Sequence, residues 1–224
     1  MKEVFLLSQI ELRNVFYRNG ENTILSNFSV EIEAGDYISI MGQSGSGKST
    51  FLRLCCHLIT PTEGSIAFYG NDIMRQDPIE LRKKICYCFQ TPVLFGDTVE
   101  DNILFVYSIR KQAIDHERVN SLFSQFNMNH VGMKQEIKTL SGGEKQRLAL
   151  IQTLLFVPDV LLLDEVTSAL DVDNTLIVEN AIKEMNQEGI TILWVTHNPE
   201  QGKRYANKLL TIEKGKIESL EVLR

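Results

Sequence analysis

The sequence predicts an α/β fold: a mixed sheet core, an N-terminal antiparallel β subdomain and an inserted helical subdomain. Three observations carry this. Residues 160–163 and, broken only by Thr191, residues 190–195 are apolar runs of the kind buried on both faces of a parallel sheet, with a helical pattern over 173–188 between them. Residues 10–16 and 24–32 alternate apolar and polar around the turn Asn19-Gly20, which suits a sheet with one solvated face. Between residues 98 and 157 the periodicity is mostly helical.

In chain order, a turn at Ala34-Gly35-Asp36 leads into a short apolar strand over 37–41. A glycine-rich segment follows, then a helical pattern from Lys48 that ends near Thr60-Pro61. Residues 65–69 and 85–89 read as strands. The helical insertion occupies about 93–157, with breaks at 127–131 and at Ser141-Gly142-Gly143. Residues 208–212 and 216–220 form a hairpin around Lys214-Gly215. No linker marks a second domain, so residues 1–224 are expected to form one domain carrying this insertion.

Composition narrows the function classes. The 224 residues carry a net charge of −6, which disfavours a nucleic-acid backbone as partner. No run of 18 apolar residues occurs, so the chain is not expected to span a membrane alone. Residues 1–9 hold an acidic residue and a very short apolar stretch, a poor signal peptide. Four cysteines in two close pairs, Cys55/Cys56 and Cys86/Cys88, do not form a secreted disulfide framework, and a reducing cytoplasm is the simplest compartment.

The glycine-rich segment is Gly42-Gln43-Ser44-Gly45-Ser46-Gly47-Lys48-Ser49, followed by Thr50. Spaced glycines let backbone N–H groups wrap phosphate oxygens, and the helix starting near Lys48 points its positive end at the same place. ATP is the expected ligand. Lys48 is expected on the β- and γ-phosphates, the Ser49 hydroxyl on Mg²⁺ and Thr50 near the α-phosphate. The strand over 160–163 ends in Asp164-Glu165. Asp164 is placed to hold Mg²⁺ through water, and Glu165 to polarise the attacking water. His197, after the strand ending at Val195, is placed to orient that water at the γ-phosphate. Leu140-Ser141-Gly142-Gly143-Glu144-Lys145-Gln146-Arg147 is a second anion nest at a helix start. Two anion sites in one chain suggest a nucleotide sandwiched between two subunits.

With these motifs in this order, the whole chain resembles the ABC ATPase family. That resemblance implies a P-loop NTPase fold of the ABC ATPase type and assigns further positions. Tyr17 matches the aromatic that stacks on adenine, and Gln90 the glutamine that senses Mg²⁺ and the partner. Ser141, Gly142 and Gly143 match the signature, Ser168-Ala169-Leu170-Asp171 the loop reaching across the dimer, and His197 the switch histidine. It implies a head-to-tail dimer, with Ser141 and Gly143 of one subunit on the γ-phosphate held by Lys48 of the other. It also implies a multi-span membrane subunit docking near Gln90-Thr91-Pro92-Val93-Leu94-Phe95-Gly96-Asp97-Thr98-Val99. The chain would then sit peripherally, at the cytoplasmic face of the plasma (inner) membrane, through that partner alone.

Within the family, the segments 86–92, 94–99, 163–171 and 193–197 look like the ATP-binding subunit of small iron-export systems of the Fet type. A phosphate- or amino-acid-importer ATPase is the alternative, and a soluble ABC ATPase unconnected to transport is a further one. Cys86 and Cys88 share a strand face but read better as small buried hydrophobes than as metal ligands. His57, His116 and His130 lack ligand spacing and receive no role.

Overall fold

Apolar alternation builds β1 (Ile10–Asn19) and β2 (Asn22–Ile32), which pair antiparallel with Ile10 opposite Ile32 and Leu12 opposite Val30. Ile10, Leu12, Val15, Phe28 and Ile32 are all buried on the shared face. The other edge of β1 takes β4 (Glu63–Phe68), and β4 takes the two-residue β5 (Asn71–Asp72). This sheet has the order β2-β1-β4-β5.

The second sheet contains β3 (Tyr37–Met41), β6 (Ile85–Cys88), β7 (Val160–Asp164), β8 (Thr191–Val195), β9 (Lys208–Glu213) and β10 (Lys216–Val222), in the order β10-β9-β3-β8-β7-β6. Strand β8 runs parallel to both β3 and β7, and β3 parallel to β9, while β10 returns antiparallel to β9. Every residue of β7 and β8 is buried, as a central parallel strand requires. The sheet is therefore mixed, as the sequence predicts.

The computed structural model describes residues 8–223, and the leader reading of residues 1–9 falls largely outside them. The described residues divide into two units. The first comprises those up to Tyr87, Pro158–Asp164 and those from Asn186 onward. It holds both sheets but for Cys88 of β6, with α1 (Lys48–Cys55), α2 (Pro78–Lys84) and α7 (Pro199–Arg204). Its core joins Phe28 and Ile32 of the antiparallel sheet to Phe51 and Leu52 of α1 and to Leu162, Leu193 and Ile40 of the mixed sheet.

The second unit is Cys88–Val157 with Glu165–Met185. It holds α3 (Val99–Arg110), α4 (His116–Gln125), α5 (Gly142–Leu154) and most of α6 (Val172–Gln187). Helix α5 packs on both α3 and α4. Thr98 opens α3 through a reciprocal cap with Asp101.

Three helices depart from the sequence reading. Helix α1 stops at Cys55 rather than near residue 60. His57 adopts a left-handed backbone (φ 52°), its N–H bonds Leu54 O, and Leu58 N–H bonds Arg53 O. That pair of bonds closes a helix end that usually carries glycine, so histidine at this position hid the stop. Helices α2 and α7 were not foreseen. Each has a side-chain cap, Asp77 or Asn198, followed at once by proline.

Candidate functional site

In the first unit the segment after β3 wraps back on itself. Gly42 (φ 145°) passes so close to β9 that a Cβ would lie 2.1 Å from Ile212 O, and one on Gly47 (φ 104°) would lie 2.6 Å from Leu25 Cδ2. Only glycine fits either place. The Lys48 side chain is buried and donates to Gly42 O and Gln43 O, both at 2.9 Å, so the ammonium sits inside the loop. Ser46 is buried, and its hydroxyl has no hydrogen-bond partner. A buried hydroxyl without a partner costs about 1–3 kcal/mol. A phosphate oxygen entering the loop would relieve that cost. Gln43, Ser44 and Gly45 are exposed at the loop tip, and Ser49 and Thr50 are half-buried on the first turn of α1.

The end of β7 meets this turn. Ser49 Oγ donates to Asp164 Oδ1 at 2.9 Å, and Tyr87 OH donates to Asp164 Oδ2 at 2.5 Å. Asp164 is buried, and these donors hold both of its oxygens. A serine hydroxyl and a carboxylate are hard oxygen donors, the kind magnesium takes when substrate phosphates complete its shell. Among the described residues there is no cluster of three or more His, Cys, Asp or Glu that could hold a metal ion. Sequence reasoning missed Tyr87, which lies between the two strand cysteines. Tyr17 is half-buried on β1 and packs against the core. His197 is exposed just past β8.

In the second unit, Gln90 Nε2 donates to Glu165 Oε2 at 2.9 Å, which brings together two residues 75 apart in sequence. Glu165 adopts a left-handed backbone (φ 51°), a conformation uncommon for a residue with a side chain and often found at functional sites.

Ser141 caps α5. Its hydroxyl accepts from Glu144 N–H, and its own N–H donates to Glu144 Oε2 at 2.7 Å. His130 Nε2 lies 2.8 Å from Glu144 Oε1. These contacts, His130 first, lower the Glu144 carboxyl to about 2. His130, given no role from sequence, thus braces this helix start. Because the Ser141 oxygen is the acceptor in the cap, its proton is left to donate outward.

Gly142 and Gly143 differ. A Cβ on Gly143 would meet Asn174 Nδ2 at 3.3 Å, whereas one on Gly142 meets nothing within 4 Å. Asn174 is itself held by Asp171, which caps α6. Both Ser141 and Asp171 are exposed.

Past Gln90, Val93 is 49% exposed and Phe95 is 36% exposed with its ring stacked on Phe105. The cysteines are thiols, not disulfides. Burial raises Cys55 and pushes Cys56 up to about 12, so neither is a thiolate at neutral pH. No helix among the described residues is long and apolar enough to cross a membrane.

Residues 25–168 match the family model described as ABC transporter, and the chain belongs to that family, carrying its ATP-hydrolysing domain. It is 41% identical over 205 residues to the "Probable iron export ATP-binding protein FetA" of Escherichia coli (strain K12), covering 91% of each chain. It is 39% identical to "ABC transporter I family member 17" of Arabidopsis thaliana, over 90% of this chain and 76% of that one. Among solved structures, the dimeric ATP-binding cassette MJ0796 bound to ADP and Pi superposes with a TM-score of 0.84 at 30% identity, over 96% of this chain and 99% of that one. A bacterial Atm1-family ABC exporter with ATP bound superposes at 0.87 and 27% identity, this chain covering 39% of its length. The fold is that of the ABC ATPase cassettes.

Proposed function

We propose that this chain is the ATP-binding and hydrolysing subunit of a transporter, acting as a head-to-tail dimer on a separate membrane subunit that exports iron. The observation that carries the ATPase reading is the group formed by the buried Lys48, the unpartnered Ser46 hydroxyl and the Ser49–Asp164 bond.

Lys48 exchanges two loop carbonyls for β- and γ-phosphate oxygens, joined by Ser46 and the N–H groups of residues 42–50. Tyr17 stacks on the adenine. Ser49 and Asp164 hold Mg²⁺, with Gln90 as a further ligand. A magnesium ion held by these residues would supply positive charge against that developing on the phosphate during transfer. Glu165 takes the proton of the attacking water, and His197 orients that water at the γ-phosphate.

The dimer rests on α5. Ser141 keeps a proton to donate, and Gly142 is a glycine that nothing among the described residues requires. A close approach from outside, the nucleotide of the second subunit, accounts for it. Asp171 supports that opposite site. The exposed Val93 and Phe95 form the docking surface of the membrane subunit. Through that partner the chain sits at the cytoplasmic face of the membrane. Iron as cargo is supported by the resemblance to the Escherichia coli protein alone.

The test is Glu165→Gln. The variant should bind ATP, accumulate dimers on a sizing column and lose steady-state hydrolysis by about 10²-fold or more. Unchanged turnover would remove the assignment of the base. Iron efflux from vesicles carrying the chain with its membrane partner tests the cargo.

A further inference from the structure

We infer that Tyr87 is a positioning residue for the metal end of the site, setting the magnesium requirement through Asp164. The inference rests on the assignment of Ser49 and Asp164 as magnesium ligands. Tyr87 occupies the third position of β6, next to β7 in the sheet, and its hydroxyl reaches across to the last residue of β7.

The Tyr87 hydroxyl donates to Asp164 Oδ2, a buried carboxylate oxygen, at 2.5 Å. Ser49 Oγ holds the other oxygen from α1. Two donors on opposite oxygens fix the carboxylate plane. The oxygen that Ser49 releases to a cation is then the one already turned toward the phosphate loop. Arg53, one helical turn beyond Ser49, donates from Nε to the Tyr87 oxygen at 3.4 Å and completes a chain Arg53–Tyr87–Asp164–Ser49.

Without the hydroxyl, Asp164 Oδ2 would be buried with no donor, and the carboxylate would be free to rotate about its last bond. Partners of this kind behind a metal ligand are typically worth 10–100-fold in metal affinity. Phenylalanine would fill the same space, so the effect should be confined to the metal.

The experiment is titration of a fluorescent ATP analogue into wild-type protein, Tyr87→Phe and Arg53→Gln, in EDTA and across a range of Mg²⁺. In EDTA all three should bind alike. The half-saturating Mg²⁺ should rise about tenfold in Tyr87→Phe. Arg53→Gln should move it by less in the same direction, because Arg53 reaches Asp164 only through the phenol. An unshifted Mg²⁺ midpoint in Tyr87→Phe overturns the inference. So does an equal loss of affinity in EDTA, which would make the role one of packing. If wild-type protein gains no affinity from Mg²⁺, the metal assignment of Ser49 and Asp164 fails and takes this inference with it.

Discussion

Gly142→Ala should separate the stability of the single chain from the activity of the dimer. Gly142 is the first residue of α5, directly after the Ser141 cap. Its φ lies outside the left-handed region, and an added Cβ would find open space. Alanine in a helix is favoured over glycine by up to about 1 kcal/mol, and less at the first position. A gain near 0.5 kcal/mol would raise the melting temperature of a chain this size by about 1–2 °C. The same methyl would stand where the second subunit's γ-phosphate must approach, and loss of such an anion contact costs about 10²-fold in turnover. Gly143→Ala behaves differently. Its Cβ would press on Asn174 at 3.3 Å, and Asn174 is tied to Asp171 by two bonds, so this variant should lose stability as well. Scanning calorimetry and phosphate release on the same preparations give both readings. Gly142→Ala with full hydrolysis would refute the sandwiched nucleotide.

Lys48→Ala should abolish binding of a fluorescent nucleotide, because the ammonium sits inside the phosphate loop, donating to Gly42 O and Gln43 O. The Glu144 carboxyl is lowered from 4.5 to about 2 in the folded protein, so its contribution to stability is complete above pH 4.5 and is lost as pH falls toward about 2. His130→Ala removes the largest cause. Acid unfolding followed by circular dichroism should begin at a higher pH in that variant, with the two curves converging below about pH 2. Leu162→Ala, at a fully buried position of β7, should cost about 2–5 kcal/mol in urea unfolding. Val93→Asp should leave ATP binding and melting intact and weaken co-purification with the membrane subunit, since Val93 is half exposed.

Much of the fold was legible because its strands are extreme cases. Residues 160–163 carry no polar residue and 190–195 only Thr191, and in the structure both strands are fully buried. The phosphate loop was legible because its glycines answer steric demands that no other residue meets, as Gly42 beside Ile212 shows. What escaped was local or distant chemistry without a pattern. His57 ends α1 in a conformation that sequence rules assign to glycine. The caps Asp77-Pro78 and Asn198-Pro199 were readable but lay beside helices too short to show a period. Tyr87 and His130 depend on partners 77 and 14 residues away, contacts that only the folded chain reveals.

The central claim is that each hydrolytic pocket takes Lys48 from one subunit and Ser141 from the other. Lys48→Ala and Ser141→Ala protein should each be inactive alone. Mixed in equal amounts with free exchange, half of the dimers would be hybrids with one intact pocket of two, and hydrolysis should return to about a quarter of the wild-type rate. If the mixture stays as inactive as its components while hybrids demonstrably form, the pocket is not shared in this way.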